Sequence, residues 1–179
     1  NLVVVGLLKN QLAGRVDSLF TLPNINTVGI HSRSYLLQDT SKYDLILLPT
    51  IETFGGTSGI HALNEQYILT MEAFGEMWNQ LTENGMIAVT TWMDYPVRNP
   101  LRLLATLCET LEDETNFPVE DHLVAIRSWG TISFVLKKSP FTLNEIGRIR
   151  KYCDQMYFDP CLLPGIVAAE RNLHNQLED

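Results

Sequence analysis

Short apolar runs alternate with helical patterns along this chain, and that alternation restricts the fold more than any other feature. Leu2-Val3-Val4-Val5 reads as a buried strand, Ile25 to Ile30 as a short strand after Pro23-Asn24, and Asp44-Leu45-Ile46-Leu47-Leu48 as a buried strand stopped by Pro49. Met86-Ile87-Ala88-Val89-Thr90-Thr91-Trp92 is a fourth such run. Continuous apolar runs of this length suit strands covered on both faces. Between them lie helical spacings. Lys9 to Phe20 puts Leu12, Val16 and Leu19 on one face, and Ser32 to Gln38 is a short helix or turn. Tyr67, Met71, Phe74, Trp78 and Leu81 mark the clearest helix, which places Phe74 and Trp78 inward and Glu72, Glu76 and Gln80 in water. Leu101, Leu104, Leu107, Cys108 and Leu111 mark another. Strand–helix alternation implies an α/β fold with a mainly parallel sheet and helices on both faces.

Punctuation refines this order. Asn84-Gly85 is expected to close the long helix, because glycine tolerates the left-handed turn after a helix. His122 to Ser128 and Thr131 to Lys137 are two strands separated by Trp129-Gly130, a gap suited to a tight antiparallel hairpin with glycine at positive φ. Thr142-Leu143-Asn144-Glu145 has the capping-box pattern and opens a helix with Leu143, Ile146, Ile149, Cys153 and Met156 inward. Pro160 and Pro164 break the chain, so the expected domain is 1–164, followed by a polar helix or tail at 165–179. Thr50 to Leu63 contains Gly55, Gly56 and Gly59 without periodicity and reads as a long loop; loops of that length are often functional, and a flexible surface excursion is the equal alternative.

Composition excludes several functions. The chain has 179 residues and a net charge of −8, which suits one domain and lacks the basic footprint of a nucleic-acid binder. Cys108, Cys153 and Cys161 are too few and too scattered for a disulfide framework or a zinc site, and fit a reducing compartment. No apolar run approaches the ~18 residues that span a bilayer, and no signal peptide is expected. The chain opens on Asn1 inside an apolar run, as a piece cut from a longer protein would.

The ionisable residues offer few constellations. His31, His61, His122 and His174 have no partner at metal-ligand spacing, so no metal site is expected. His122 and His174 read as ordinary surface or strand-end histidines. His31 follows the run Thr27-Val28-Gly29-Ile30, where open α/β sheets bind ligands, although His31-Ser32 equally suits capping of the next helix. Glu52 follows the run that ends at Leu48, and Glu65 begins the long helix. An acid in such a crevice can hold ribose hydroxyls or an amine, or act as a base. Loop solvation for Glu52 and helix-dipole electrostatics for Glu65 are the bland alternatives. There is no Gly-x-Gly-x-x-Gly, P-loop or Gly-x-Ser-x-Gly element.

Several segments resemble spermidine synthase-like proteins, which have the Rossmann-like methyltransferase fold. Tyr43-Asp44-Leu45-Ile46-Leu47-Leu48 resembles their "Tyr-Asp-Val-Ile" strand. Leu63-Asn64-Glu65-Gln66-Tyr67-Ile68-Leu69-Thr70-Met71-Glu72-Ala73-Phe74 is similar to "Leu-Asn-Glu-x-Tyr-Leu-x-Thr-x-Glu-Ala-Phe". Leu81 to Val89 is similar to the "Leu-x-Pro-x-Gly-Ile-Leu" turn into a strand, and Lys137 to Thr142 to "Lys-x-Ser-Pro-Phe-Thr". The subgroup that follows a multi-pass membrane region matches best.

The resemblance implies a transferase of polyamine biosynthesis that uses S-adenosylmethionine or its decarboxylated form, in the cytoplasm, as the soluble domain of an inner-membrane protein. It also exposes departures. The family's first strand and glycine-rich loop are missing, since Leu2–Val5 resembles its second strand. Leu7 or Leu8 stands where an acid holds the ribose. His31-Ser32-Arg33 matches "Asp-Ala-Arg" near the adenine, which makes His31 and Ser32 the candidate cofactor contacts. Pro49 stands where spermidine synthases have an aspartate base, leaving Glu52 and Glu65 as candidate catalytic acids. The expectation is a degenerate domain with a ligand-sensing or scaffold role and a small-molecule partner. The alternative is an active aminopropyl- or methyltransferase completed by residues upstream of Asn1.

Overall fold

The computed structural model describes residues 2–15, 20, 22–50, 68–93 and 96–165. They fall into two units, 1–38 and 39–179.

The first unit holds helices α1 (Leu2–Asn10) and α2 (Ser32–Gln38), with a 3-10 turn at Ala13–Arg15. Helix α2 agrees with the sequence reading. Leu2–Val5 does not: it is helical, not a strand. An apolar run of this kind is compatible with either state. The helix is favoured by Lys9 in its last turn and by Asn10 Nδ2, which donates to the Gly6 carbonyl at 2.9 Å. The Lys9 to Phe20 pattern also fails as one helix, because α1 already ends at Asn10. Ile25 to Ile30 forms no strand. A strand needs a ladder partner, and the described residues of this unit supply none.

The second unit is built on a five-stranded sheet: β1 (Tyr43–Leu48), β2 (Leu81–Trp92), β3 (Leu123–Arg127), β4 (Thr131–Lys137) and β5 (Asp159–Leu162). The spatial order is β1-β2-β4-β3-β5. The β1–β2 pair is parallel, with Ile46 opposite Ile87 and Leu48 opposite Val89. The remaining pairs are antiparallel. This is the Rossmann-like methyltransferase class of α/β fold expected above, but among the described residues the sheet is not mainly parallel: only β1 and β2 pair in parallel, because the hairpin and the C-terminal strand supply the other three pairs.

Helix α3 (Met71–Asn79) joins β1 to β2 on the C-terminal side of the connection. The Thr70 side chain caps it by accepting from the Ala73 N–H at 3.3 Å. Ala73, Phe74, Met77 and Trp78 are buried on its inner face. Of the residues expected in water, Glu72 is exposed, whereas Glu76 and Gln80 are half-buried; Gln80 Nε2 donates to the Asp39 carbonyl at 2.8 Å. Helix α4 (Asn99–Glu114) packs on α3 and β2. Its buried stripe is Leu103, Leu107, Thr110 and Leu111, turned from the expected one, so that Leu101 is exposed. Thr110 tolerates burial because its hydroxyl donates to the Thr106 carbonyl at 2.8 Å.

Leu81 and Asn84-Gly85 belong to β2, not to the end of α3. The helix stops at Gln80, whose carbonyl accepts from the Tyr43 N–H at 2.8 Å and so starts the ladder. Strand β2 then advances from Leu81 to Met86 while β1 advances only from Tyr43 to Leu45. Gly85 is needed there for close approach, not for a left-handed turn: a Cβ would sit 2.6 Å from the Tyr43 carbonyl oxygen.

A single turn, α5 (Val119–His122), leads into the β3–β4 hairpin, with Leu123 opposite Leu136 and Arg127 opposite Ile132. Trp129-Gly130 forms its tip, as expected. Gly130 nevertheless lacks a positive φ. The turn is held by the Ser128 N–H donating to the Thr131 carbonyl at 2.8 Å, and the Gly130 carbonyl accepts from the Met93 N–H at 2.9 Å. Helix α6 (Leu143–Met156) starts with the capping box read from the sequence. Cys153 is buried and Ile146 and Ile149 are half-buried, while Leu143 and Met156 are exposed. The helix ends at Tyr157, whose φ of 55° puts a tyrosine in the left-handed region usually left to glycine. Pro160 does not break the chain; it lies in edge strand β5, where proline is tolerated.

Alternation sets the two faces of the sheet. Ile87, Val89, Ile132, Phe134 and Leu136 are buried on one face, while Met86, Ala88, Thr90, Ser133 and Val135 on the other are half-buried. The expectation that Asp44–Leu48 is covered on both faces fails, since Leu45 and Leu47 are exposed on edge strand β1.

Phe74→Ala should cost about 3–5 kcal/mol in urea unfolding, since the ring is fully buried. Gly85→Ala should cost about 1–3 kcal/mol, because the added methyl meets a backbone carbonyl that cannot move without shifting β1. An unchanged midpoint for Gly85→Ala would mean that the β1–β2 approach is wider than described.

Candidate functional site

In an open α/β sheet the ligand crevice lies outside the carboxyl ends of the parallel strands. Here those ends belong to β1 and β2. Pro49 and Thr50 follow β1, and Met93 follows β2. None of the three side chains can accept or release a proton near neutral pH. Pro49 thus directly follows the strand, as the sequence reading expects.

The antiparallel hairpin brings more groups to this end, since Trp92 pairs with Thr131. The Ser128 and Thr131 hydroxyls lie 2.7 Å apart, and the Thr90 and Ser133 hydroxyls 2.8 Å apart. Arg127 and Asp159 are opposite each other across β3 and β5. Arg127 Nη2 and Nε both donate to Asp159 Oδ2, at 2.9 and 3.1 Å. That pair ties the edge strand to the sheet.

The candidates chosen from sequence are not assembled by the described residues. His31 and Ser32 are exposed in the first unit, and the His31 carbonyl accepts from the Tyr35 N–H at 2.9 Å as α2 begins. This is the helix-opening role. Glu52 and Glu65 lie outside the described residues, as do the Thr50 to Leu63 loop beyond Thr50, His61, His174 and the tail beyond Gly165. Among the described residues, no three histidine, cysteine or acidic side chains are grouped as metal ligands.

A buried polar cluster sits at the other end of the hairpin, and sequence reasoning missed most of it. His122 is not a surface histidine: it is fully buried. Its Nδ1–H donates to the Lys137 carbonyl at 2.8 Å, and its ring packs edge-on to Trp78, with centroids 5.9 Å apart. The Lys137 side chain is only 5% exposed, and its ammonium lies 2.8 Å from the Glu145 carboxylate. Glu145 also accepts from the Thr142 N–H and hydroxyl, both at 2.8 Å. One carboxylate therefore caps α6 and neutralises a buried cation. Beside it, Lys138 Nζ donates to the Trp78 carbonyl at 3.0 Å, at the C-terminus of α3, where cations are favoured. The capping box was the only legible signal for this cluster; the Lys137 partnership is not local in sequence. Burial raises the Cys108 and Cys153 thiols above their ordinary range, with nearby acids adding to the effect, so neither is an activated nucleophile.

No family model matches the chain, and no curated protein is similar to it in sequence. Among solved structures it is similar to a probable spermidine synthase from Corynebacterium glutamicum ATCC 13032, with a TM-score of 0.52 and 17% identity. The fold is spermidine synthase-like. The likeness covers 79% of this chain and 50% of that protein, so the chain spans half of its length. At this identity the likeness speaks for fold alone. Among the described residues no helix is long and apolar enough to cross a membrane.

The Glu145 cluster has a pH consequence. Its carboxyl is held at about 2, below its ordinary 4.5, chiefly by the hydrogen bond from Lys137 and then by the Thr142 N–H. A group whose folded pKa is depressed contributes stability that is complete above its unfolded pKa. That contribution is lost as pH falls from about 4.5 through about 2. Glu145→Gln should lower the unfolding free energy at pH 7 by about 1–3 kcal/mol, the range for leaving a buried polar group such as the Lys137 ammonium without its partner. The gap between variant and parent should close toward pH 2. A gap that is constant from pH 7 to pH 2.5 would refute the assignment.

Proposed function

We propose that this chain is a spermidine synthase-like domain whose transferase site has been lost, leaving a ligand-sensing or scaffold role. The observation that carries this reading is Pro49 at the carboxyl end of β1. Aminopropyl transfer needs a base there to take the proton of the attacking amine. A proline ring has no lone pair to offer, because its nitrogen is an amide.

The cofactor half supports the same reading. The ribose diol of S-adenosylmethionine relies on a carboxylate in this fold, and charge-assisted hydrogen bonds are about twice as strong as neutral ones. By sequence resemblance Leu7 and Leu8 stand where that acid would be, although Leu2–Val5 belongs to helix α1 and not to the strand that would present it, and neither side chain offers an acceptor. Losing each hydrogen-bonding partner costs about 1–3 kcal/mol. Two or three such losses weaken binding by about thirtyfold to more than about a millionfold, at about 1.4 kcal/mol per factor of ten.

A second reading is favoured by the position of Glu52, three residues beyond Pro49 in sequence. In it, Glu52 or Glu65 replaces the base, His31 and Ser32 contact the adenine side, and segments upstream of Asn1 complete an active polyamine-type transferase. A cytoplasmic location and a membrane region attached upstream belong to both readings as proposals.

Calorimetric titration of the purified chain with S-adenosylmethionine and with its decarboxylated form separates the two. The expected result is no saturable binding tighter than about 100 μM, roughly −5.5 kcal/mol. Tighter binding that Glu52→Ala abolishes would overturn the degenerate-site reading and place the replacement group.

A further inference from the structure

The half-buried face of the sheet carries a groove unconnected with the transferase question. It has a volume of about 590 Å³ and is bounded by α6 on one side. Its floor is apolar: Met86 from β2, Ile126 from β3, Phe141 and Ile149. Tyr152 forms a wall, its ring held edge-on against Phe158 with centroids 6.0 Å apart. Arg148 and Lys151 stand at the rim.

The spacing of α6 explains the mixture. Arg148, Lys151, Tyr152 and Gln155 recur at three- and four-residue steps and so share one stripe of the helix. Arg148 and Lys151 are exposed and form no hydrogen bond or ion pair among the described residues. The one acid in the lining, Glu145, is already matched to Lys137. Two cations without a close ion-pair partner among the described residues therefore border an apolar lining, in a chain whose net charge is −8.

We propose that this groove binds a small amphipathic organic anion, its aryl or alkyl body on the Met86, Ile126, Phe141 and Ile149 floor and its carboxylate between Arg148 and Lys151. Charge complementarity selects an anion over a neutral or cationic ligand. The volume falls within the range of small-molecule sites, about 300–1,000 Å³. The planar guanidinium of Arg148 suits a carboxylate in bidentate fashion, and Lys151 adds a point charge. The floor lies on the half-buried face because the alternate residues of β2 and β3 point there, so an apolar body bound in it removes surface from water. The inference does not rest on the transferase reading, since the lining contains neither Pro49 nor any of His31, Ser32, Glu52 and Glu65.

The test is a titration of the full chain, followed by backbone amide shifts, with 4-phenylbutyrate, 4-phenylbutan-1-ol and 4-phenylbutylamine. The carboxylate should bind saturably, shift amides of residues 148–155, and bind about tenfold or more tightly than the alcohol. The amine should bind more weakly still, and added salt should reduce the preference for the carboxylate. Arg148→Glu combined with Lys151→Glu changes two exposed side chains and should remove about tenfold or more of the affinity, with the circular dichroism unchanged. Lys151→Gln, a milder change, should remove a smaller part. Equal binding of acid and alcohol, an unchanged affinity in both variants, or no saturation by the carboxylate would overturn the proposal. Self-association of the parent chain that the double variant abolishes would assign the groove to a second copy and overturn it as well.

Discussion

Strand β2 is paired along both edges, and the second unit is organised around that fact. Its parallel ladder to β1 and its antiparallel ladder to β4 share the residues from Met86 to Val89. Backbone groups buried in this way must all be paired, and a shift of one residue on either side would turn Ile87 and Val89 away from the core. The two ladders therefore fix which groups gather at each end. Met93 meets the hairpin tip at one end, where Pro49 also leaves β1, and Lys137 reaches His122 and Glu145 at the other. The candidate ligand crevice and the buried ion pair are opposite ends of one register.

Local chemistry was legible in the sequence. The capping box at Thr142 and Glu145 and the two-residue hairpin gap at Trp129-Gly130 depend on neighbours a few residues away, and both are present. What depended on distant partners was not. Leu2–Val5 and Ile25–Ile30 have strand-like side chains, but a strand exists only where another strand meets it. Asn84-Gly85 has the composition of a helix stop, yet the deciding contact is the carbonyl of Tyr43, far away in sequence. The buried stripe of α4 was misjudged because a threonine can occupy it once its hydroxyl bonds its own helix.

For the site, the sequence was most informative about place, since Pro49 directly follows β1. Pro49 could be read directly, because its chemistry does not depend on context. His31-Ser32 could be read two ways, and the structure puts the pair at the opening of a helix. His122 was undervalued: one histidine in a sequence says nothing about the tryptophan and carbonyl that surround it. The second bond of Glu145 was hidden for the same reason, since Lys137 lies in a strand eight residues earlier and meets it only after the chain has turned at Pro140.

The position of β1 at the border of the sheet also bears on how the protein behaves in concentrated solution. This strand ends the strand order among the described residues, and Leu45 and Leu47 on it are more than half exposed. Such an edge is a template for further strands from other molecules. Near neutral pH the excess of carboxylates keeps molecules apart, but that repulsion fades as they are protonated. Mild acid should therefore bring edge-to-edge clustering well before the sheet itself unfolds, and a lysine in place of Leu45 would guard the border without touching the buried face.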